Sequence, residues 1–173
     1  MSVYELLPST HPSLSVPLTE VTDDQEGREQ IQQDLVDTMR AKNGIGLSAN
    51  QIGIGARVFA MYADVKEKDI LVCFNPKIVN QSEEEILMDE GCLSYPGLWL
   101  KIRRPEGIEV TYEDVKGELQ EKAMFGLEAR IFLHEYDHMD GLNFTNRVSK
   151  LKMDRAKKRL KKVQKKLDNP VWP

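Results

Sequence analysis

The stretch that decides the fold is residues 131–138, with the sequence IFLHEYDH, an apolar run that carries two histidines four residues apart. One turn of α-helix holds about 3.6 residues, so His134 and His138 lie one above the other on the same helix face. Two imidazoles in that arrangement can hold one divalent metal ion, and a glutamate such as Glu135 is the usual base toward metal-activated water. A helix whose histidines only cap a core is the alternative. The pattern predicts a metal-binding helix that needs a third ligand.

Cys92 is the candidate for that third ligand, because no further His or Cys follows His138. Asp140 comes two residues after His138 and points away from the shared helix face. Cys92 lies within residues 89–97, DEGCLSYPG, where the glycines and the proline predict an irregular, accessible segment. An inert thiol is the alternative for any single cysteine. Cys73, inside an apolar run, is interpreted as a buried small side chain.

The composition is that of one domain without a targeting segment. A chain of 173 residues, 40% of them hydrophobic and 30% charged, can bury a core without staples. No run reaches the roughly 18 apolar residues of a membrane span, and the first thirty residues lack the pattern of a secretory signal. Two cysteines do not form a disulfide framework. We expect a monomeric cytoplasmic protein, or an organellar one after transit-peptide removal, with no membrane association.

The C-terminal segment is strongly basic. Residues 147–166 contain eleven Lys or Arg and one acid, a local charge of +10 in a chain whose net charge is −4. An anionic partner is expected for such a segment, and a helix that simply lies on the domain is the alternative. We divide the chain into a catalytic body, residues 1–148, and a basic amphipathic helix and tail, residues 149–173. The apolar positions of this helix follow steps of three and four: Met153, Ala156, Leu160, Val163 and Leu167.

The remaining elements predict an α+β fold. A capping-box pattern at residues 22–25 and apolar residues every four positions predict an N-terminal helix over residues 24–42, after an extended arm. Alternating apolar residues predict strands around residues 108–112, with a turn at 115–117 and a returning strand to Met124. This meander favours mainly antiparallel sheets packed around the central metal-binding helix. Further strands are expected at residues 58–62, at 70–74, where Asn75-Pro76 ends the run, and at 77–87.

Three separated motifs resemble those of the peptide deformylase family, in the same order. They are residues 44–51 (GIGLSANQ), 90–94 (EGCLS) and 134–138 (HEYDH). Two residues depart from the usual family pattern, because Ser48 stands where Ala is usual and Leu133 where Gln is usual. Neither residue is a metal ligand in the family. From the residues alone, the glycines of the first motif permit close backbone approach, and no Lys-Ser/Thr follows them to make a phosphate loop.

The resemblance, which covers residues 4–150, implies removal of the N-formyl group from the starting methionine of nascent polypeptides. It implies one divalent metal held by Cys92, His134 and His138, with a fourth position open to water. Ferrous iron is the ion characteristic of the family, and a Cys-His-His set also suits zinc. Glu135 would take the proton of the metal-activated water and then pass it to the departing amine.

The remaining site residues are also implied by the resemblance. Gln51 and the backbone N–H of Leu93 would donate to the oxyanion that develops on the formyl oxygen. From the residues alone, a solvated glutamine in a turn is the alternative for Gln51. Arg104 matches an arginine that the family often has near Glu90, so an ion pair is expected to brace the cysteine segment. Asp137 is expected to support a neighbouring strand or loop.

The substrate is expected to bind as an extended strand, because an enzyme that accepts many sequences must recognise the peptide backbone. Main-chain hydrogen bonds would form along two segments, Ile45 with Gly46 and Glu90 with Gly91. By resemblance, the walls of an apolar slot for the methionine side chain would be Ile45, Leu127 and Ile131. Core packing would explain those three apolar residues equally well.

Two further readings of the sequence stay open. A zinc endopeptidase of the His-Glu-x-x-His type would take its third ligand from beyond the motif helix, where this chain has none. A ribosome- or RNA-binding module would use the basic helix and keep the metal as a structural element. The basic helix also resembles the one by which bacterial deformylases bind the ribosome, so docking on the ribosome is compatible with the enzyme as well.

Overall fold

The fold is α+β with antiparallel sheets, as the sequence predicted. A computed structural model describes residues 3–22 and 25–168. No helix in this described part is long and apolar enough to cross a membrane. The helices are α1 (Gln25–Ala41), α2 (Gly126–Met139) and α3 (Lys150–Asp168), and the strands are β1 (Gly46–Ser48), β2 (Val58–Asp64), β3 (Asp69–Gln81), β4 (Glu85–Gly91), β5 (Trp99–Pro105), β6 (Gly107–Glu113) and β7 (Leu119–Phe125).

A five-stranded sheet lies between α1 and α2, in the order β1-β2-β3-β6-β7. Because side chains alternate along a strand, β2 contributes side chains to the core on both faces of the sheet. Phe59 and Met61 belong to the core cluster built on α2, whereas Val58 and Ala60 belong to the cluster built on α1. Phe132 of α2 packs edge-on against Phe59, with ring centroids 5.1 Å apart. Burial on both faces explains why β2 is almost continuously apolar.

The break expected at Asn75-Pro76 is wrong, because β3 continues through both residues. The pairing of β3 with β6 shifts register between Phe74 and Lys77, and Asn75 has a φ of 48°. This bulge lets the strand pass the proline. Asn75 is held there by the backbone of Val21, which donates to Oδ1 at 2.7 Å and accepts from Nδ2 at 2.9 Å. A contact with a residue distant in the sequence therefore outweighs the tendency of Asn75-Pro76 to end the strand.

The single strand expected over residues 77–87 is also wrong. Its first part ends β3 and its last part begins β4, in a separate two-stranded sheet with β5. Between them the hydroxyl of Ser82 donates to the carbonyl of Glu84 at 2.9 Å and accepts from the N–H of Gly107 at 3.0 Å. The segment 89–97, expected to be irregular throughout, contributes its first three residues to β4.

The terminal helices are close to their expected positions. Helix α1 covers most of the predicted range 24–42, and α3 begins one residue after the predicted start. The capping box at residues 22–25 and the end expected at 169–170 fall partly or wholly outside the described residues. Helix α2 is buried along most of its length, and it packs against both sheets. This central position brings the histidine motif between the two sheets.

Helix α3 packs on a third, smaller cluster beside the two-stranded sheet. Met153, Ala156 and Leu160 pack against this cluster, as do Cys92 and Tyr95. The apolar stripe predicted from the sequence therefore faces the domain over its first three positions. The fourth, Val163, is 49% exposed. The side chain of Leu167 lies outside the described residues.

Candidate metal centre and groove

Cys92, His134 and His138 converge in space. Their ligand atoms all lie within 4.8 Å of one another, and Sγ of Cys92 is 3.6 Å from Nε2 of His138. The two imidazole rings are 5.6 Å apart between centroids, as expected for residues four apart on one helix. Both histidines are buried and Cys92 is half-buried. The structure brings together all three residues that the sequence selected as ligands.

The segment after β4 positions the sulfur atom. The antiparallel pairing of β4 with β5 ends at Gly91, so Cys92 is the first residue beyond the ladder. The N–H of Tyr95 donates to the carbonyl of Cys92 at 2.9 Å, which closes a turn. The ring of Tyr95 packs edge-on against Phe144, with centroids 5.4 Å apart. Backbone and core contacts together fix the cysteine opposite α2.

A buried carboxylate orients the first histidine. Nδ1 of His134 lies 2.9 Å from Oε2 of Glu90, so its Nε2 is left to face Cys92. Arg104 donates to both oxygens of Glu90, at 2.6 and 2.9 Å, and Arg130 donates to Oε1 at 2.6 Å. The Arg104–Glu90 ion pair implied by the resemblance is present. Burial alone would raise the pKa of Glu90, but the hydrogen bonds from His134 and Arg104 outweigh it and hold that pKa well below its usual range.

The electrostatics of the cluster suit a cation. Burial lowers the pKa of His134, but hydrogen bonds to Cys92 and Glu90 outweigh burial and raise it to about 10. Burial, reinforced by the charge of His134, lowers the pKa of His138 to about 3. The site therefore stabilises positive charge between a thiol and a carboxylate. A divalent ion would meet the same groups, and one sulfur with two imidazole nitrogens suits zinc or ferrous iron.

Asp137 connects this cluster to the start of the basic helix. Its carboxylate accepts from Arg104 at 2.9 Å and from Nε of Arg147 at 3.0 Å, with a second contact to Arg147. Asp137 is itself buried. It supports β5 and the turn before α3, as the sequence predicted.

Replacing Asp137 with alanine should destabilise the fold strongly, because Arg104 would stay buried with one partner fewer. We expect the free energy of unfolding to fall by about 3–5 kcal/mol in chemical denaturation. Asp140→Ala is the matched control on the same turn, since Asp140 is half-exposed and pairs with Arg57 at 2.9 Å. That variant should lose only about 0–1 kcal/mol. Equal losses in the two variants would contradict this account of the buried network.

Glu135 is buried against β1. Its Oε2 accepts a hydrogen bond from the hydroxyl of Ser48 at 2.8 Å, and its Oε1 faces Gly46. A Cβ atom on Gly46 would overlap the carboxylate, with Cδ of Glu135 at 2.9 Å. Glycine is therefore required at that position for the close approach of strand and helix. Burial raises the pKa of Glu135, against the lowering effect of His134 and of the Ser48 hydrogen bond.

Gln51 lies in a short 3-10 helix, Ala49–Ile52, directly after β1. Its Oε1 accepts from the N–H of Ser48 at 2.9 Å, which settles the orientation of the amide. Its Nε2 therefore points toward the cysteine segment, 3.1 Å from Oγ of Ser94 and 3.4 Å from Sγ of Cys92. The side chain is buried and hydrogen-bonded, so the alternative of a solvated glutamine is wrong.

A groove of about 340 Å³ opens onto these residues. Its floor includes Cys92, His134 and Glu135. The glutamine and the backbone segments selected from the sequence line it too, whereas His138 lies behind the lining. Ile45 and Leu127 are about half-exposed in its walls, while Ile131 is also part of the α2 core. The lining residues selected from the sequence are Ile45, Gly46, Gln51, Glu90, Gly91, Cys92, Leu93, Leu127, Ile131, His134 and Glu135.

Several residues at the site were not predicted from the sequence to have a role there. Ser48 and Ser94 hydrogen-bond to the candidate catalytic side chains, and Arg130 joins the Glu90 cluster. The sequence does contain a signal for Arg130, since it is a charged residue four positions before His134 and therefore on the same face of the helix. The sequence contains no such signal for Trp99, which is 63% exposed on the groove wall.

Comparisons with known proteins identify relatives of the whole fold. The family model described as polypeptide deformylase matches residues 3–154. Peptide deformylase of Synechocystis sp. is 38% identical over 121 residues, 69% of this chain and 65% of that relative. Peptide deformylase 1B, chloroplastic/mitochondrial, of Arabidopsis thaliana is 36% identical over 78% of this chain. The chain spans only half the length of that plant relative.

The structural similarity to a solved deformylase also extends over most of the chain. The crystal structure of peptide deformylase from Thermotoga maritima superposes with a TM-score of 0.80 at 32% sequence identity. The match covers 86% of this chain and 99% of that structure. The likeness therefore extends over both sheets and the central helix, and it is not confined to the three motifs.

Proposed function

The chain belongs to the polypeptide deformylase family, and from that premise we propose that it hydrolyses the N-formyl group from the starting methionine of nascent polypeptides. The convergence of one thiol and two imidazoles, with Cys92, His134 and the buried Glu135 lining one groove, is the observation that carries this proposal. Each of these groups has a chemical task in amide hydrolysis. The products would be formate and a free N-terminal amine.

Cys92, His134 and His138 would hold one divalent ion. Such an ion supplies Lewis acidity, which lowers the pKa of water and polarises a carbonyl group. Three protein ligands with an open fourth position are typical of catalytic sites, whereas structural sites have four. We propose ferrous iron as the native ion, with zinc as an alternative that the same donor set accepts.

Glu135 would carry the proton in the reaction. Its carboxylate takes one proton from the attacking water as the oxygen of that water bonds to the formyl carbon. It then gives this proton to the peptide nitrogen as the carbon–nitrogen bond breaks. The other water proton leaves with formic acid, which ionises. Burial raises the pKa of Glu135 above the usual value of a carboxyl group.

Gln51 and Leu93 would stabilise the negative charge that develops on the formyl oxygen. Nε2 of Gln51 points toward the cysteine segment because Ser48 holds the other end of the amide. Leu93, which supplies the second donor through its backbone N–H, comes directly after Cys92 in the sequence and lines the groove. Preorganised donors of this kind lower the barrier because they need no rearrangement during the reaction.

The peptide would bind between two strand edges. Within the described residues, β1 and β4 each pair with only one other strand, and both strands line the groove. An extended peptide could add to these edges through main-chain hydrogen bonds, along Ile45 and Gly46 on one side and Glu90 and Gly91 on the other. The half-exposed side chains of Ile45 and Leu127, with Ile131 below them, support an apolar slot for methionine.

Release of formate from formyl-Met-Ala-Ser by protein prepared without oxygen tests this function. The sample should release formate and leave the internal bonds of unformylated peptides intact. The endopeptidase reading predicts the reverse result. The binding-module reading predicts neither reaction. All the proposed site residues come from one chain, so we propose that the protein acts as a monomer, and formate release should be first order in protein concentration. We also propose that it acts in the cytoplasm, on nascent polypeptides.

The basic face of α3 would dock on an anionic surface such as the ribosome. Its lysines and arginines from Lys150 to Lys165 are exposed, while Met153, Ala156 and Leu160 hold the helix on the domain. Phosphate attraction is salt-dependent and does not require particular bases. We propose that this face keeps the enzyme close to emerging nascent chains.

Charge reversal on this face should separate docking from catalysis. The variant replaces four exposed lysines with glutamate and leaves the packed face intact, so the cluster beside Cys92 is undisturbed. We expect co-sedimentation with ribosomes to be lost at physiological salt, while kcat/KM on a free formylated peptide changes less than about twofold. Unchanged co-sedimentation would exclude docking by this face. The four lysines are Lys158, Lys161, Lys162 and Lys165.

A further inference from the structure

Ser48 is a fully buried hydroxyl beside the proposed base. It ends β1, and its side chain points at α2, with Oγ 2.8 Å from Oε2 of Glu135 and 3.2 Å from the carbonyl oxygen of Glu135. A hydroxyl has one proton to donate, and the carboxylate is both the nearer and the charged acceptor. The proton therefore goes to Oε2.

This hydrogen bond makes the two oxygens of Glu135 unequal. Oε2 is engaged by Ser48, whereas Oε1 faces Gly46 on the groove wall. The missing Cβ of Gly46 leaves the space that Oε1 occupies. One oxygen is thus hydrogen-bonded to Ser48, and the other lies against Gly46, which lines the groove.

The backbone of the same residue orients the second candidate catalytic side chain. The N–H of Ser48 donates to Oε1 of Gln51 at 2.9 Å, and this turns Nε2 of Gln51 toward Cys92. A single residue at the end of β1 therefore contacts both the proposed base and the proposed oxyanion donor. Its hydroxyl is the part of that arrangement that substitution can remove.

We propose that Ser48 is a positioning residue for deformylation, and that its hydroxyl fixes the Glu135 carboxylate so that Oε1 alone exchanges the proton with water and the leaving nitrogen. The proposal rests on the function proposed above and assigns a task to each oxygen of the base. Without the hydroxyl, Oε2 would be a buried carboxylate oxygen lacking this donor. The carboxylate would rotate toward another hydrogen-bond donor. A base displaced by even a fraction of an ångström transfers protons less effectively.

The test compares Ser48→Ala with Ser48→Thr, which keeps a hydroxyl on the same carbon. We expect Ser48→Ala to lower kcat for formyl-Met-Ala-Ser about 10- to 100-fold, the range given by loss of one hydrogen bond to a charged group. KM should change less than about threefold, because the hydroxyl does not line the groove. Ser48→Thr should recover most of the lost kcat. Metal content should match wild type in both variants.

Cys73→Ala is the matched control, because it also deletes one atom from a fully buried small side chain, on β3. It should lower the melting temperature without lowering kcat. The proposal is overturned if kcat of Ser48→Ala stays within about twofold of wild type, or if Ser48→Thr is as slow as Ser48→Ala. It is also overturned if the loss comes with lost metal. A wild-type sample that releases no formate would instead overturn the proposed function, and this proposal with it.

Discussion

Replacing Glu135 with glutamine is expected to lower kcat/KM for formate release by about 10³-fold or more while the metal content stays unchanged. The amide has nearly the same shape as the carboxylate, and its oxygen can still accept from Ser48, so the packing of α2 against β1 is preserved. It cannot take a proton from water. General acid–base catalysis contributes about 10²–10⁴-fold to a rate, and Glu135 is proposed to act twice in each turnover.

Glu128→Gln provides the control for this prediction. It is the same substitution on the same helix, at a carboxylate that pairs with Lys122 at 2.7 Å. Its kcat/KM should stay within about twofold of wild type. If Glu135→Gln kept more than about a tenth of wild-type activity, Glu135 would not be the base. If it kept its metal and lost only activity, the hypothesis of a binding module without catalytic activity would be excluded.

Replacing Cys92 with alanine is expected to remove the bound metal, and formate release with it. The remaining ligands would be two neutral imidazoles, without the thiolate that offsets the charge of the ion. The purified variant should hold almost no divalent ion, where the wild-type chain should hold about one. Metal analysis of protein prepared without oxygen measures this directly.

Cys73→Ala is the control for Cys92→Ala, since it removes the other thiol of the chain. Cys73 is fully buried in β3, and burial raises the pKa of its thiol well above the usual value, so it is not a thiolate ligand. This variant should retain both metal and activity. Equal metal content in the two variants would refute the assignment of Cys92.

The elements that the sequence predicted well have strong local periodicity. The histidine pair within an apolar run is enough to predict α2, because both signals follow the helical repeat. Strand β6 alternates apolar and polar residues before a turn at residues 115–117, and β7 pairs with it as the predicted returning strand. Local periodicity is sufficient when one face of an element is buried.

The strands and the bulge that the sequence did not predict depend on contacts between residues that are distant in the sequence. Strand β1 has only three residues, and it is a strand because β2 lies beside it. Strand β5 alternates exposed and buried side chains, but one of its buried residues is Arg104, whose partners Glu90 and Asp137 lie far away in the sequence. Asn75 holds a bulge through the backbone of Val21. No local pattern contains that information.

The same distinction between local patterns and distant contacts applies to the candidate site. Spacing and elimination were enough to select Cys92, His134 and His138, because ligand chemistry restricts the residue types. The groups that orient them could not be selected in this way. Ser48 and Arg130 act through contacts between different elements, and serine or arginine in a sequence has many ordinary explanations.

X-ray absorption at the zinc edge of zinc-loaded wild-type protein tests the central claim most directly, since the claim is that one thiolate and two imidazoles share one ion. We expect one sulfur neighbour at about 2.3 Å and two imidazole nitrogens at about 2.0–2.1 Å. A shell without sulfur, or one with a single imidazole, would contradict it.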